Sequence, residues 1–104
     1  MDEIAHKKTI SLTDLRQMRS EIIRLAEKRS ASNVRVFGSV ARGDATESSD
    51  VDLLVEFQDG ATLWDAVGLW QDLRDLLRCE VSLIGQDDRD TRFMRRIQED
   101  LVVL

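Results

Sequence analysis

A chain of 104 residues, 42% hydrophobic and 34% charged with a net charge of −5, has the composition of one small globular domain, and its acidic balance argues against gripping duplex nucleic acid through a broad cationic surface. No stretch approaches the ~20 apolar residues of a membrane span, and no signal-peptide pattern opens the chain. The single cysteine, Cys79, excludes an intrachain disulfide framework, so a reducing, cytoplasmic location is the expectation.

Without proline, repeat or low-complexity tract, residues 1–104 read as one domain, with 1–10 a loose lead-in in which His6 is solvated. Ser11 or Thr13 can cap a helix, with Asp14 favouring its first turn. Leu12, Leu15, Met18, Ile22 and Leu25 recur at helical spacing, which predicts an amphipathic helix over 12–29. Ser30-Ala31-Ser32-Asn33 ends it. Val34 to Phe37 is a short β-rich run stopped by Gly38. Residues 38–49 are small, polar and turn-forming, with room for one helical turn after Ser39. Val51 to Phe57 is the clearest strand: Val51, Leu53, Val55 and Phe57 share one face, and Asp50, Asp52, Leu54 and Glu56 the other.

Gln58-Asp59-Gly60 is a turn. Thr62 can cap a second helix over 63–78, with Leu63, Val67, Trp70, Leu73 and Leu77 as its apolar stripe. Trp70 belongs to that stripe and reads as core; Trp64, at its edge, could serve a partner interface. Glu80 to Ile84 is a third strand closed by Gly85, with Cys79 a plain thiol ahead of it. Asp87 or Asp88 opens a last helix near 88–100 that packs through Phe93, Met94 and Ile97, while Arg92, Arg95 and Arg96 form a solvated face. Leu101 to Leu104 is either a short strand or a partner-facing tail. The order α-β-β-α-β-α predicts an α/β (α+β) domain, a small mixed sheet backed by helices.

Chemistry concentrates between Gly38 and Asp52. Gly38 lets backbone approach a phosphate closely, and Ser39 adds a hydroxyl and an amide donor. Arg42 supplies a forked cation for phosphate oxygens. Asp50 and Asp52 lie about 7 Å apart along the strand, on one face. Carboxylates so placed can converge on Mg²⁺ ions, which take hard oxygen ligands and neutralise charge at a reacting phosphate.

The run Val36-Phe37-Gly38-Ser39-Val40-Ala41-Arg42-Gly43-Asp44, followed by Ser49-Asp50-Val51-Asp52-Leu53-Leu54-Val55, resembles the minimal nucleotidyltransferase (MNT) branch of the polymerase-beta-like superfamily. That family's pattern is a hydrophobic strand, Gly-Ser-x-Ala-Arg-Gly-(Asp/Glu), then Ser-Asp-hydrophobic-Asp-Leu. The resemblance implies the polymerase-beta-like fold and nucleotidyl transfer, adenylyl above all, from a nucleoside triphosphate to a hydroxyl. It implies ATP as substrate, two Mg²⁺ ions on Asp50 and Asp52, and the triphosphate on Gly38, Ser39 and Arg42. Small members are often paired with a helical HEPN-domain toxin, which the MNT antitoxin can AMPylate. A homo-oligomer is compatible with the family.

The chain departs from the family at one place. Active members carry a third carboxylate on the strand after the long helix, in a run like Val-Asp-Leu-Val; here the run is Val81-Ser82-Leu83-Ile84. A serine is a far poorer Mg²⁺ ligand and no strong base. Glu80, two residues earlier, could reach in as the third ligand in place of Ser82, and Glu56 is a weaker candidate. Two alternatives to protein adenylylation stand beside it: a degenerate binding module that neutralises its partner by occupancy, and a small-molecule transferase of the antibiotic-modifying kind.

Overall fold

In the computed structural model, which describes residues 9–86 and 91–104, Ser11 opens the first helix through a capping box. Its hydroxyl accepts from the Asp14 amide while the Asp14 carboxylate accepts from the Ser11 amide, satisfying donors a helix start otherwise leaves open. The expected single helix over 12–29 is two: α1 (Leu12–Gln17) and α2 (Arg19–Lys28). The break falls at Met18, whose ψ of 13° leaves helical geometry. Leu15, Ile22 and Ala26 nevertheless stay on one buried face.

The strand β1 (Ala31–Phe37) begins ahead of the expected Val34. Ser30 and Asn33 take left-handed φ values of 60° and 52°, so the expected break is a turn plus a bulged strand start, with the register shift between Ser32 and Arg35. One helical turn, α3 (Gly38–Arg42), follows directly. The next strand, β2 (Val51–Phe57), has the expected bounds.

Thr62 and Asp65 form a second capping box at the start of α4 (Leu63–Leu77). Its buried line is Leu69, Leu73 and Leu77. Leu63 and Val67 fall on the edge of that line instead of forming its first half, and Leu63 and Trp64 are 75% and 78% exposed. Trp70 packs against the core and donates its ring N–H to the Val81 carbonyl at 2.8 Å. The remaining elements are β3 (Val81–Gly85), α5 (Thr91–Ile97) and β4 (Val102–Val103). The proposed start of the last helix at Asp87 or Asp88, like His6, lies outside the described residues. The C-terminal run is a strand: Val102 and Val103 pair with Val36 and Arg35.

These strands form one mixed sheet in the order β3-β2-β1-β4. β1 runs antiparallel to both β2 and β4, and β2 parallel to β3, the last pairing being the one that needs α4 as its crossover. Leu15, Ile22, Val36, Val51, Leu53, Val55, Leu69 and Leu73 fuse helices and sheet into the main core. On the opposite face Phe37, Leu54 and Ile97 form a smaller core with Ile84, Phe93, Met94 and Leu101, the two phenyl rings meeting edge to face at 6.0 Å. α5 thus covers the apolar residue that shares a face with Asp52. Among the described residues no helix is long and apolar enough to cross a membrane.

Candidate active site

β1 ends at Phe37, and Gly38 turns the chain into α3 with φ +75°, a conformation that only glycine adopts at small cost. A Cβ at Gly38 would run into the carboxylate of Asp52. The glycine backbone and the acid are therefore in contact, and any group held by one is within reach of the other. The register explains why. Phe37 is the cross-strand partner of Asp52, and Asp52 in turn lies beside Ser82 on β3. Asp50 sits just before β2 and is exposed, while the Val51 amide bonds the Glu80 carbonyl at 3.0 Å.

Asp52 is half-buried, and burial is the main reason its carboxyl titrates above the ordinary range. The charge of Asp50 pushes in the same direction, and Arg42 offsets part of it. Without a cation the site is thus electrostatically unfavourable. The native state binds the Asp52 proton more tightly than the unfolded chain does, so its contribution to stability is fully present below the unfolded pKa and is lost as pH rises through the folded one. Asp52→Asn is accordingly expected to raise the melting temperature of the protein in chelator at pH 7. The gain should shrink as the pH falls below the ordinary carboxylate range; a lower melting temperature at pH 7 would contradict it.

α3 and the loop behind it bring up Ser39 and Arg42. The Ser39 carbonyl accepts from the Gly43 and Asp44 amides, both at 3.0 Å, closing the turn, and Gly43 at φ +85° caps it. Arg42 is paired twice, its Nε with Asp44 at 3.3 Å and its Nη1 with Asp100 at 2.9 Å. Hydrogen bonding to Asp100, then to Asp44, holds its guanidinium further above the usual range. Asp44 and Ser49 play the structural parts that turn residues play: Ser49 Oγ accepts from the Thr46 amide at 2.9 Å.

The candidates for a third acid are not equivalent. Ser82 occupies the place on β3 directly beside Asp52. The Glu80 carboxylate is paired with Arg74 of α4 at 3.1 Å, and that guanidinium stacks over Trp70 at 4.7 Å, on the helix that packs against the main core. Glu56 bonds Asn33 and lies 3.8 Å from Arg35, near the far end of β2. Among the described residues no trio of His, Cys, Asp and Glu is arranged to hold a metal ion. Asp100 is the neighbour that sequence reasoning missed. It is separated from Arg42 by most of the domain, and no local pattern announces such a pair.

The family model described as nucleotidyltransferase domain matches residues 15–104. The chain belongs to that family. Its relatives include MJ0435 of Methanocaldococcus jannaschii, a candidate protein adenylyltransferase, 35% identical over 86% of this chain and 96% of that one. Protein adenylyltransferase MntA of Thermococcus cleftensis is 32% identical over 75% and 79%. Among solved structures, a candidate minimal nucleotidyltransferase superposes with a TM-score of 0.80 at 38% identity, covering 91% of this chain and 97% of that one. A chain of the complex between an MNT antitoxin and a tri-AMPylated Shewanella oneidensis HEPN toxin shares the fold, with a TM-score of 0.64 at 19% identity over 85% and 69%.

In this nucleotidyltransferase domain the donor set fits a hard divalent cation. Asp50 and Asp52 offer carboxylate oxygens, Asp52 carries a charge that burial disfavours, and among the described residues neither is ion-paired with a lysine or arginine. Two carboxylates leave most of an Mg²⁺ coordination shell open, which suits an ion that binds through one or two carboxylates plus substrate phosphates.

Proposed function

We propose that this domain transfers an adenylyl group from ATP, with Mg²⁺, to a hydroxyl of a protein partner, and that the partner is a HEPN-type toxin which it silences. The observation that carries the reading is the contact between the Gly38 backbone and the Asp52 carboxylate, within a family whose relatives are named protein adenylyltransferases. Asp50 and Asp52 hold the metal, and Gly38 and Ser39 hold the triphosphate. Arg42 contributes positive charge at the phosphates or supports their loop. Bound Mg²⁺ neutralises charge on the phosphates and polarises the reacting oxygens. The acceptor oxygen bonds to the α-phosphorus, pyrophosphate leaves, and the acceptor proton is released. Transfer of label from ATP marked at the α-phosphate to the co-purifying partner, lost in Asp52→Ala, is the test.

A second reading has its own observation. Ser82 stands beside Asp52 and Glu80 is engaged by Arg74, so the acceptor hydroxyl finds no strong base at the third position. On that reading the chain neutralises its partner by occupancy. Undiminished neutralisation by the Asp50→Ala/Asp52→Ala double variant favours occupancy; loss of neutralisation with binding intact favours catalysis. Ser82→Asp places a carboxylate next to Asp52 and is expected to raise transfer about a hundredfold, the lower end for a positioned general base. No gain in labelling rate would leave the third position without a role.

A further inference from the structure

α3 cannot hold itself in place. It is a single turn, Gly38–Arg42, with Val40 as its buried residue and no side-chain cap at its start, far below the ~12–15 residues at which a helix stands alone in water. Behind it, residues 43–50 run without helix or strand. The backbone of Gly38 and Ser39 is therefore fixed by β1 on one side. On the other it is held by Val40, buried in the main core, and by what Arg42 grips at the end of the turn.

Arg42 grips two carboxylates of different kinds. Asp44 is 63% exposed and belongs to the same loop, so it moves with the loop. Asp100, 27% exposed, comes from the far end of the chain and is held on both sides. Its amide donates to the Ile97 carbonyl at 3.1 Å, and Ile97 is buried in the smaller core with Phe37 and Leu54. Leu101 packs against that same core, and Val102 pairs with Val36 of β1. The restraint closes on itself: β1 leads to α3, Arg42 reaches Asp100, and β4 returns to β1.

We propose that Asp100 is a positioning residue: acting through Arg42, it anchors α3 so that Gly38 and Ser39 face Asp52, and so sets the affinity of the site for a nucleoside triphosphate. The inference rests on the nucleotide-binding reading above. An ion pair this exposed contributes little to global stability. It nevertheless ties the exposed end of a one-turn helix to a packed frame, so its loss acts locally.

The test uses the full chain and three measurements: amide hydrogen exchange at residues 38–43, MgATP binding by calorimetry, and thermal melting. Asp100→Asn is expected to speed exchange at 38–43 and weaken MgATP binding about tenfold, while the melting temperature moves by no more than about 5 °C. Asp100→Glu should recover most of the affinity. In an Arg42→Ala background, Asp100→Asn should add nothing, because the route through Arg42 is already cut. Unchanged exchange and affinity, or additive effects of the two substitutions, would overturn the assignment. If the wild-type chain binds no MgATP, the functional reading falls, and exchange at 38–43 in Asp100→Asn still decides whether Asp100 anchors α3.

Discussion

Asp52→Ala is expected to abolish adenylyl transfer, with kcat/KM lower by at least about a hundredfold, while the chain stays folded and melts no lower than the wild type. Both effects have one cause. Asp52 carries a charge in a half-buried position beside a second carboxylate, an arrangement that is unfavourable for the empty protein and favourable once a divalent cation is bound. Removing the carboxylate relieves the repulsion and discards the cation site, whose charge neutralisation is worth several kcal/mol to a phosphoryl-type transfer. Asp50→Ala should lose activity similarly with a smaller gain in melting temperature, because it relieves the repulsion on Asp52 but not the burial that is the larger cause. Label incorporation from α-labelled ATP and thermal melts in chelator separate the two effects. Full transfer by both variants would remove the carboxylates from the chemistry.

Gly38→Ala is expected to damage fold and site together. The left-handed conformation at φ +75° costs an alanine ~1–2 kcal/mol, and the added methyl meets the Asp52 carboxylate, so about 2–4 kcal/mol of stability should be lost. For a domain of this size that is a fall in melting temperature on the order of 10–20 °C. Transfer should drop to background because the methyl displaces the carboxylate from the proposed metal position. Gly43→Ala is the control. Gly43 is also left-handed, at φ +85°, but a Cβ there meets nothing within 4 Å, so only the backbone cost applies. The steric part of the Gly38 effect should vanish in an Asp52→Ala background, a coupling that a double-mutant cycle reads directly. Additive effects would mean that the two positions do not touch.

Much of this was legible before any coordinates. The bounds of β2 follow from the alternation of Val51, Leu53, Val55 and Phe57 with Asp52 and Glu56, broken only at Leu54, and the start of α4 from Thr62, a capping residue. Gly38-Ser39 and Asp50-x-Asp52 could be located because a positive-φ turn and a two-residue strand period are local properties of the chain. Errors arose where tertiary packing overrode local preference. Met18 continues the helical spacing of apolar residues, yet the helix breaks there at ψ 13°. Leu63 and Val67 fit a helical stripe as well as Leu69 does, and which line faces the sheet is decided by how the helix docks.

The sequence by itself determined most of the elements, the family pattern and the pairing of Asp52 on β2 with Asp50 just ahead of it, because each depends on residues a few positions apart. The tertiary structure decided how the groups around Asp52 are engaged. Parallel register places Ser82 beside it, a helix-to-strand ion pair turns Glu80 toward Arg74, and the docking of the C-terminal strand brings Asp100 to Arg42. Each of those contacts joins segments whose separation along the chain carries no periodicity to read, so only the packing of helices on the sheet sets which side chains meet.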